Sequence, residues 1–303
     1  MDNEIAIEAD NVSFAYPDGF PALLDVTFRV RRGEFVAMLA ANGSGKTTLI
    51  KVLVALLKPQ KGVVRVNGRD LNDYSEADIY QRVGLVFQNP NDQLFGATVA
   101  EDVAFGPRNL RLEEDEVRRR VDESLEAVGA LELRERAIHH LSFGQQKRVA
   151  IAGVLAMRPS IMVLDEPTAG LDPAGEHNML QLLGALNRQQ GISVILATHS
   201  VDTLPLFADR IYLLNRGRVL KEGSPDKVFG DHDLIQRASL RLPYVTQLLD
   251  ELKRFDGVLI DNLPLTIREA RMQLLDLIPD ELIFQPFGPG PEATVAENGY
   301  SFR

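Results

Sequence analysis

Lys46 and Thr47 follow a glycine-containing loop in the stretch LAANGSGKTTLI, residues 39–50. A positive charge and a hydroxyl in this order suit the binding of a phosphorylated ligand. The template is G-x-x-x-x-G-K-[ST]. Gly45, Lys46 and Thr47 match its second half, and Ala40 stands where its first glycine would be. Main-chain N–H groups of residues 43–47 can converge on phosphate oxygens, helped by the positive end of a following helix. Gly43 and Gly45 allow close approach and unusual dihedrals. Lys46 supplies a point charge, and the Thr47 hydroxyl suits a Mg2+ ligand. Alanine at position 40 is harmless if its φ is negative and costs about 1 kcal/mol or more if φ must be positive. The plainer reading is a glycine-rich turn ahead of a helix. Against it stands the context: GEFVAMLA is a nearly continuous apolar run that fits a buried strand, and TTLIKVLVALL continues at helical spacing.

Two more stretches carry chemistry. IMVLDEP, 161–167, is four apolar residues followed by two acids. Asp165 can hold a magnesium ion through water, and Glu166 is placed to polarise an attacking water. Alone the pattern is weak, because acids often end strands; with the phosphate loop earlier in the chain it is strong. LSFGQQKR, 141–148, has Ser142 three residues before Gln145. That is a capped helix start, and its exposed N–H groups also suit an anion.

The elements that must position these residues are an alternation of strands and helices, which predicts a parallel α/β sheet. Residues 4–40 read as short strands: IAIEAD, NVSFAY, the turn PDG, then LDVTFRV. VGLVF ends at Gln88. From Asn89 the character changes to a helical insertion, with Val117, Val121, Leu125 and Val128 on one face. Further helices are expected near 143–157 and 174–189, with the strand SVILATH after them. In a second unit, Val245, Leu248, Leu249, Leu252 and Phe255 form one stripe. Thr266 and Glu269 spell a capping box, Pro279 stops that helix, and the stretch from Gln285 is rich in Pro and Gly. The 303 residues, 45% hydrophobic and 25% charged, suit a soluble globular protein of about two domains. No apolar run approaches the ~18 residues of a membrane span, and the acidic start MDNEIAIEAD does not resemble a signal or transit peptide. The absence of cysteine removes disulfides and Cys-based zinc sites. A net charge of −10 argues against nucleic acid as a partner.

Taken in order, the motifs resemble those of the nucleotide-binding subunits of ATP-binding-cassette transporters. Tyr16 matches the aromatic loop that stacks on adenine. The phosphate loop spans 40–48, so Asn42, Gly43, Ser44, Gly45, Lys46, Thr47 and Thr48 are expected nucleotide-binding residues. Gln88 matches the Q-loop glutamine, and the signature is LSFGQ, with Phe143 where the family usually has glycine. Ser142, Gly144 and Gln145 keep the rest of the signature. Asp165 and Glu166 match the acidic pair, Asp172 the D-loop aspartate, and His199 the switch histidine. The resemblance implies ATP and Mg2+ as cofactors and Glu166, His199 and Gln88 as catalytic residues. The Mg2+ ligands would be Thr47, Gln88 and Asp165, partly through water. It implies a parallel core sheet, an antiparallel β subdomain and a helical subdomain at about 89–160. The whole cassette is expected over residues 1–230, with a small C-terminal α/β or helical domain at 231–285 and a tail at 286–303.

QNPNDQLFGATVAEDVAFGPRNL, 88–110, together with RVAIAGVLAMRP and LPLTIREA, resembles the ATPases of energy-coupling factor importers. In that group the C-terminal unit contributes to dimerisation and the substrate is bound by a separate membrane component. The implied partners are a second ATPase subunit, a transmembrane coupling protein at the Q-loop, and the membrane substrate-binding component. The implied location is the cytoplasmic face of the cell membrane, held peripherally. LSFGQQKR and LPLT look most like the cobalt- and nickel-type members. A shared vitamin-import ATPase is an alternative, as is a soluble cassette ATPase of DNA repair or translation. One cassette and no sustained heptads argue against the soluble class. A regulatory module that holds ATP without hydrolysis is a third reading, opposed by Glu166 and His199.

Overall fold

Two long strands open the chain in the computed structural model, which describes residues 4–260 and 262–278. Strand β1 (Ile5–Ala15) pairs antiparallel with β2 (Pro21–Arg31). The two short strands expected before the PDG turn are one strand. It bends at Asn11, whose φ is 51°, and its register with β2 shifts between Ala9 and Val12. Asparagine tolerates the left-handed region, so a bulge bends the strand without ending it.

Next come β3 (Phe35–Leu39), α1 (Lys46–Leu53), β4 (Lys61–Val66), β5 (Arg69–Asp70), α2 (Glu76–Arg82) and β6 (Val83–Val86). The helical segment holds α3 (Val99–Asn109), α4 (Glu114–Ala127) and α5 (Phe143–Leu155). The chain then returns through β7 (Ile161–Asp165), α6 (Pro173–Gln190), β8 (Ser193–Thr198), β9 (Arg210–Asn215) and β10 (Arg218–Gly223). Two short helices follow, α7 (Pro225–Phe229) and α8 (His232–Arg237).

The strands form two sheets. One is antiparallel, in the order β2-β1-β4-β5; the other runs β10-β9-β3-β8-β7-β6. In the second, β6, β7, β8, β3 and β9 are mutually parallel and β10 closes the edge as a hairpin. Every residue of β3, β7 and β8 is buried, which is why each reads as an apolar run rather than an alternation. Register then sets the chemistry. Leu39 pairs with Thr198, and Asp165 with Ala197, so the carboxyl ends of three central strands lie side by side.

The helical segment is built as its sequence pattern predicts: Val117, Val121, Leu125 and Val128 are all buried. Thr98 and Glu101 form a capping box on α3. Asp102 is buried, and its Oδ1 accepts the N–H groups of Phe95 and Gly96, each at 2.8 Å. Burial pushes this carboxyl above its ordinary range. Asp102→Ala leaves two N–H groups without their acceptor and should lower unfolding free energy by about 2 kcal/mol. A shift of the urea midpoint at unchanged slope would show it.

The chain divides into two compact units, Met1–Tyr244 and Val245–Arg303. The boundary falls later than the expected one at 230, because α7 packs on β9 and β10 and carries α8 with it. In the second unit α9 (Tyr244–Phe255) and α10 (Ile267–Asp276) surround a small core of Leu249, Ile260 and Ala270. Thr266 and Glu269 form the predicted capping box. Of the predicted stripe, Val245 and Leu252 pack on this core, while Leu248 is 54% and Phe255 81% exposed. So small a core covers only part of so wide a stripe. The stop at Pro279 and the stretch from Gln285 lie outside the described residues.

Candidate functional site

The loop between β3 and α1 answers the question that Ala40 raises. Ala40 is fully buried and is not among the residues with positive φ, so its methyl group meets no backbone penalty. Its N–H donates to Thr198 O at 3.2 Å, which continues the sheet. Its carbonyl accepts from Lys46 Nζ at 2.7 Å. Residues that do need the left-handed region have glycine: φ is 76° at Gly43 and 101° at Gly45. A Cβ at Gly45 would come within 2.7 Å of Ala22 O. Ala40→Gly should therefore change ATP affinity by no more than about twofold, since it adds only backbone freedom outside the cavity. A fluorescent-nucleotide titration would measure it.

The loop forms one wall of an open cavity of about 580 Å³. Tyr16, Asn42, Gly43, Gly45, Lys46, Thr47, Thr48, Gln88, Asp165, Glu166 and His199 all line it. Ser44 does not: it is buried, and its carbonyl accepts from Gly217 N at 3.0 Å. The Tyr16 hydroxyl is 3.1 Å from Thr48 Oγ1, and its ring meets Phe14 edge-on. Phe20, 61% exposed, and Arg216 line the same cavity, and sequence reasoning missed both. Phe20 directly follows the PDG turn, which was the available signal.

Thr47 Oγ1 donates to Asp165 Oδ2 at 2.9 Å. Burial pushes the Asp165 carboxyl above its ordinary range, and the Thr47 hydrogen bond and Lys46 oppose that push only in part. A buried carboxylate beside a hydroxyl, with Gln88 on the same cavity, is an all-oxygen donor set that fits Mg2+.

Glu166 is buried at the end of β7 with φ 48°, a left-handed conformation that costs a residue with a Cβ roughly 1 kcal/mol or more. Its carboxylate is surrounded. Lys46 Nζ is 3.4 Å from Oε1, His199 Nδ1 is 2.9 Å from the same oxygen, and the Thr198 hydroxyl is 3.4 Å from Oε2. His199 is half exposed while Glu166 is buried, so the imidazole covers the carboxylate from the solvent side. This arrangement can hold phosphates on the loop and direct a water with the carboxylate.

The signature and D-loop residues lie elsewhere. Ser142 and Gln145 cap α5 reciprocally, with Ser142 N donating to Gln145 Oε1 at 2.9 Å. Asp172 caps α6 through Gly175 N at 2.6 Å. Ser142 and Asp172 are exposed, Gly144 is half-buried, and none of the three lines the cavity. Lys147, also missed from sequence, is buried beneath the signature and reaches the main chain at Glu166.

Comparison with known proteins agrees with this geometry. Residues 23–169 match the ABC transporter family. The energy-coupling factor transporter ATP-binding protein EcfA of Methanothermobacter thermautotrophicus is 50% identical, over 90% of this chain and 87% of its own. The EcfA protein of Methanocaldococcus jannaschii is 45% identical, over 91% and 99%. Among solved structures, cbiO1 from Clostridium perfringens, part of the ABC transporter complex cbiONQ, is 41% identical with a TM-score of 0.72. It aligns with 82% of this chain and 99% of that one. A dimeric ATP-binding cassette in a post-hydrolysis state, bound to ADP and Pi, is 31% identical with a TM-score of 0.65, over 72% and 98%. With this identity spread over most of its length, the chain belongs to the ABC transporter ATP-binding family and, within it, to the energy-coupling factor group.

Proposed function

We propose that the chain is the ATP-hydrolysing motor of an energy-coupling factor importer, acting peripherally at the cytoplasmic face of the cell membrane. The observation that carries this reading is the Glu166 carboxylate, held by Lys46 and His199 at the mouth of the phosphate loop. Lys46 and the N–H groups of 43–47 bind the β- and γ-phosphates. Tyr16 and Phe20 flank the base. Glu166 orients the attacking water and accepts its proton, with His199 keeping the carboxylate in place. Thr47, Asp165 and Gln88 would hold Mg2+, which would neutralise charge on the phosphate oxygens.

A second ATPase subunit is needed to complete the site. Ser142, Gly144, Gln145 and Asp172 are away from this chain's own cavity, and the exposed Ser142 and Asp172 suit contact with the nucleotide of a partner copy. The second unit supports dimerisation: Leu248, Phe255, Leu259 and Ile267 are between 54% and 87% exposed, an apolar surface that a partner would cover. Coupling to a transmembrane protein is supported by an apolar groove of about 580 Å³ between the Q-loop and α3, near α5. Phe95 and Phe105, 66% and 49% exposed, meet edge-to-face at its rim. No helix among the described residues is long and apolar enough to cross a membrane. The finer reading is uptake of a transition-metal ion, cobalt or nickel, supported by the resemblance of LSFGQQKR and LPLT to members of that type.

Gentle detergent purification of the tagged chain from its native membranes, with co-purifying proteins identified by mass spectrometry, tests this. One coupling protein and one dedicated metal-type binding component, with no ATPase of a different sequence, are expected for a motor that pairs with its own copy. A second ATPase with several binding components would mean a shared vitamin-import module. A preparation that binds ATP but carries no membrane partner would overturn the transport reading.

A further inference from the structure

Lys147 is a buried ammonium that the mechanism above does not use. It lies in the first turns of α5, 3% exposed, and Nζ donates to Pro167 O at 2.8 Å and to Glu166 O at 3.3 Å. The Phe143 ring, one turn earlier on the same helix face, covers Nζ at 5.1 Å from its centroid. An ammonium has three hydrogens, and two carbonyls and a ring face accommodate all three. An apolar side chain would be buried here with far less desolvation, and burial pushes the Lys147 ammonium down to about 8. The charge is therefore best explained by what it does to its two carbonyl partners.

Those carbonyls belong to the turn that aims the Glu166 side chain. Glu166 occupies the left-handed region, and three hydrogen-bonding groups hold the turn. Glu166 N donates to Ala197 O at 2.9 Å, Ala169 N donates to Glu166 O at 3.0 Å, and Lys147 donates to both carbonyls. The first two are main-chain bonds of the sheet and the turn itself. The third is a side chain reaching in from the helix that begins at Ser142.

We infer that Lys147 is a positioning residue for hydrolysis: from α5 it clamps the carbonyls of the left-handed Glu166–Pro167 turn and so aims the Glu166 carboxylate. The inference rests on the hydrolytic role given to Glu166 above. Displacement of a reacting group by about 1 Å can cost on the order of a hundredfold in rate.

The test uses the full-length chain, with ATP hydrolysis followed across ATP concentrations, ATP affinity from equilibrium binding, and thermal unfolding of each variant. Lys147→Met keeps an unbranched side chain and loses every donor; Lys147→Gln restores an amide donor. The Met variant should lose about tenfold in kcat, with KM and Kd within about twofold of wild type, and the Gln variant should recover about threefold of that loss. In a Glu166→Gln background, Lys147→Met should cost nothing more, because the carboxylate it aims is gone. An unchanged kcat in the Met variant, equal losses in Met and Gln, or a full additional loss in the Glu166→Gln background would each overturn the inference. If the Met chain does not fold, the Gln variant decides: lowered kcat at unchanged KM supports the clamp, and a wild-type kcat overturns it. A wild-type chain that binds ATP but turns it over no faster than Glu166→Gln overturns the hydrolytic reading, and this inference with it.

Discussion

Glu166→Gln is expected to bind ATP with wild-type affinity and to hydrolyse it at least about a hundredfold more slowly. The amide keeps the size of the side chain and can still meet His199 and the Thr198 hydroxyl, 2.9 and 3.4 Å from the carboxylate oxygens. On the proposed mechanism it loses the charge that would polarise water and the basic oxygen that would take its proton. The phosphate-binding groups are left alone, because Lys46, Gly43 and Gly45 belong to a different segment. One rearrangement is predicted within the site. Lys46 is 3.4 Å from Glu166 Oε1, and with the carboxylate neutralised its remaining partners are the carbonyls of Ala40 and Ala41, at 2.7 and 3.3 Å. The ammonium is then freer to meet phosphate, so affinity should hold or rise slightly. Phosphate release by the complex with its membrane partners, beside equilibrium ATP binding, measures both quantities. Wild-type turnover in the variant would remove Glu166 from the mechanism.

Lys46→Met should do the reverse, weakening ATP binding by about ten- to a hundredfold. That range corresponds to the roughly 1.5–3 kcal/mol of a charge-assisted hydrogen bond. Lys46 is 6% exposed and lines the cavity, where its ammonium can meet a polyphosphate directly; Arg216, on the same cavity, is exposed. Methionine is unbranched and one atom shorter, and it places an apolar end near two carbonyls and a carboxylate. The variant should also unfold at lower temperature, because Glu166 loses a buried counter-charge and keeps the His199 ring and the Thr198 hydroxyl. Isothermal titration with ATP, together with a melting curve, separates the two effects. Unchanged affinity would mean that the main-chain N–H groups of the loop carry the phosphates without the side chain.

The phosphate loop was legible because its requirements are local. Gly43 and Gly45 must adopt positive φ within four residues of the lysine, and a sequence shows that directly. The α5 and α10 capping boxes, the buried runs of β3, β7 and β8, and the face formed by Val117, Val121 and Leu125 are likewise short-range patterns. The α10 box was read from Thr266 and Glu269 alone. Ala40 is an intermediate case. Residue type left two outcomes open, and the choice depended on a single dihedral, set where Ala40 N reaches across to Thr198 O. The β1 bulge at Asn11 and the exposure of Leu248 and Phe255 were not legible, since each depends on what lies opposite: a neighbouring strand in one case, the extent of a small core in the other.

Motif order and spacing in this chain were thus enough to determine the cassette, its ligand class and most of the residues that face the cavity. Packing decided how those residues act on one another. Glu166 meets His199 across 33 positions of chain because β7 and β8 lie parallel with Asp165 beside Ala197. It meets Lys147 across 19 positions because α5 begins beneath the same turn. No period or cap encodes such pairs. They arise when sheet register brings distant residues within hydrogen-bonding reach, and the left-handed turn at Glu166 persists because those non-local contacts hold it.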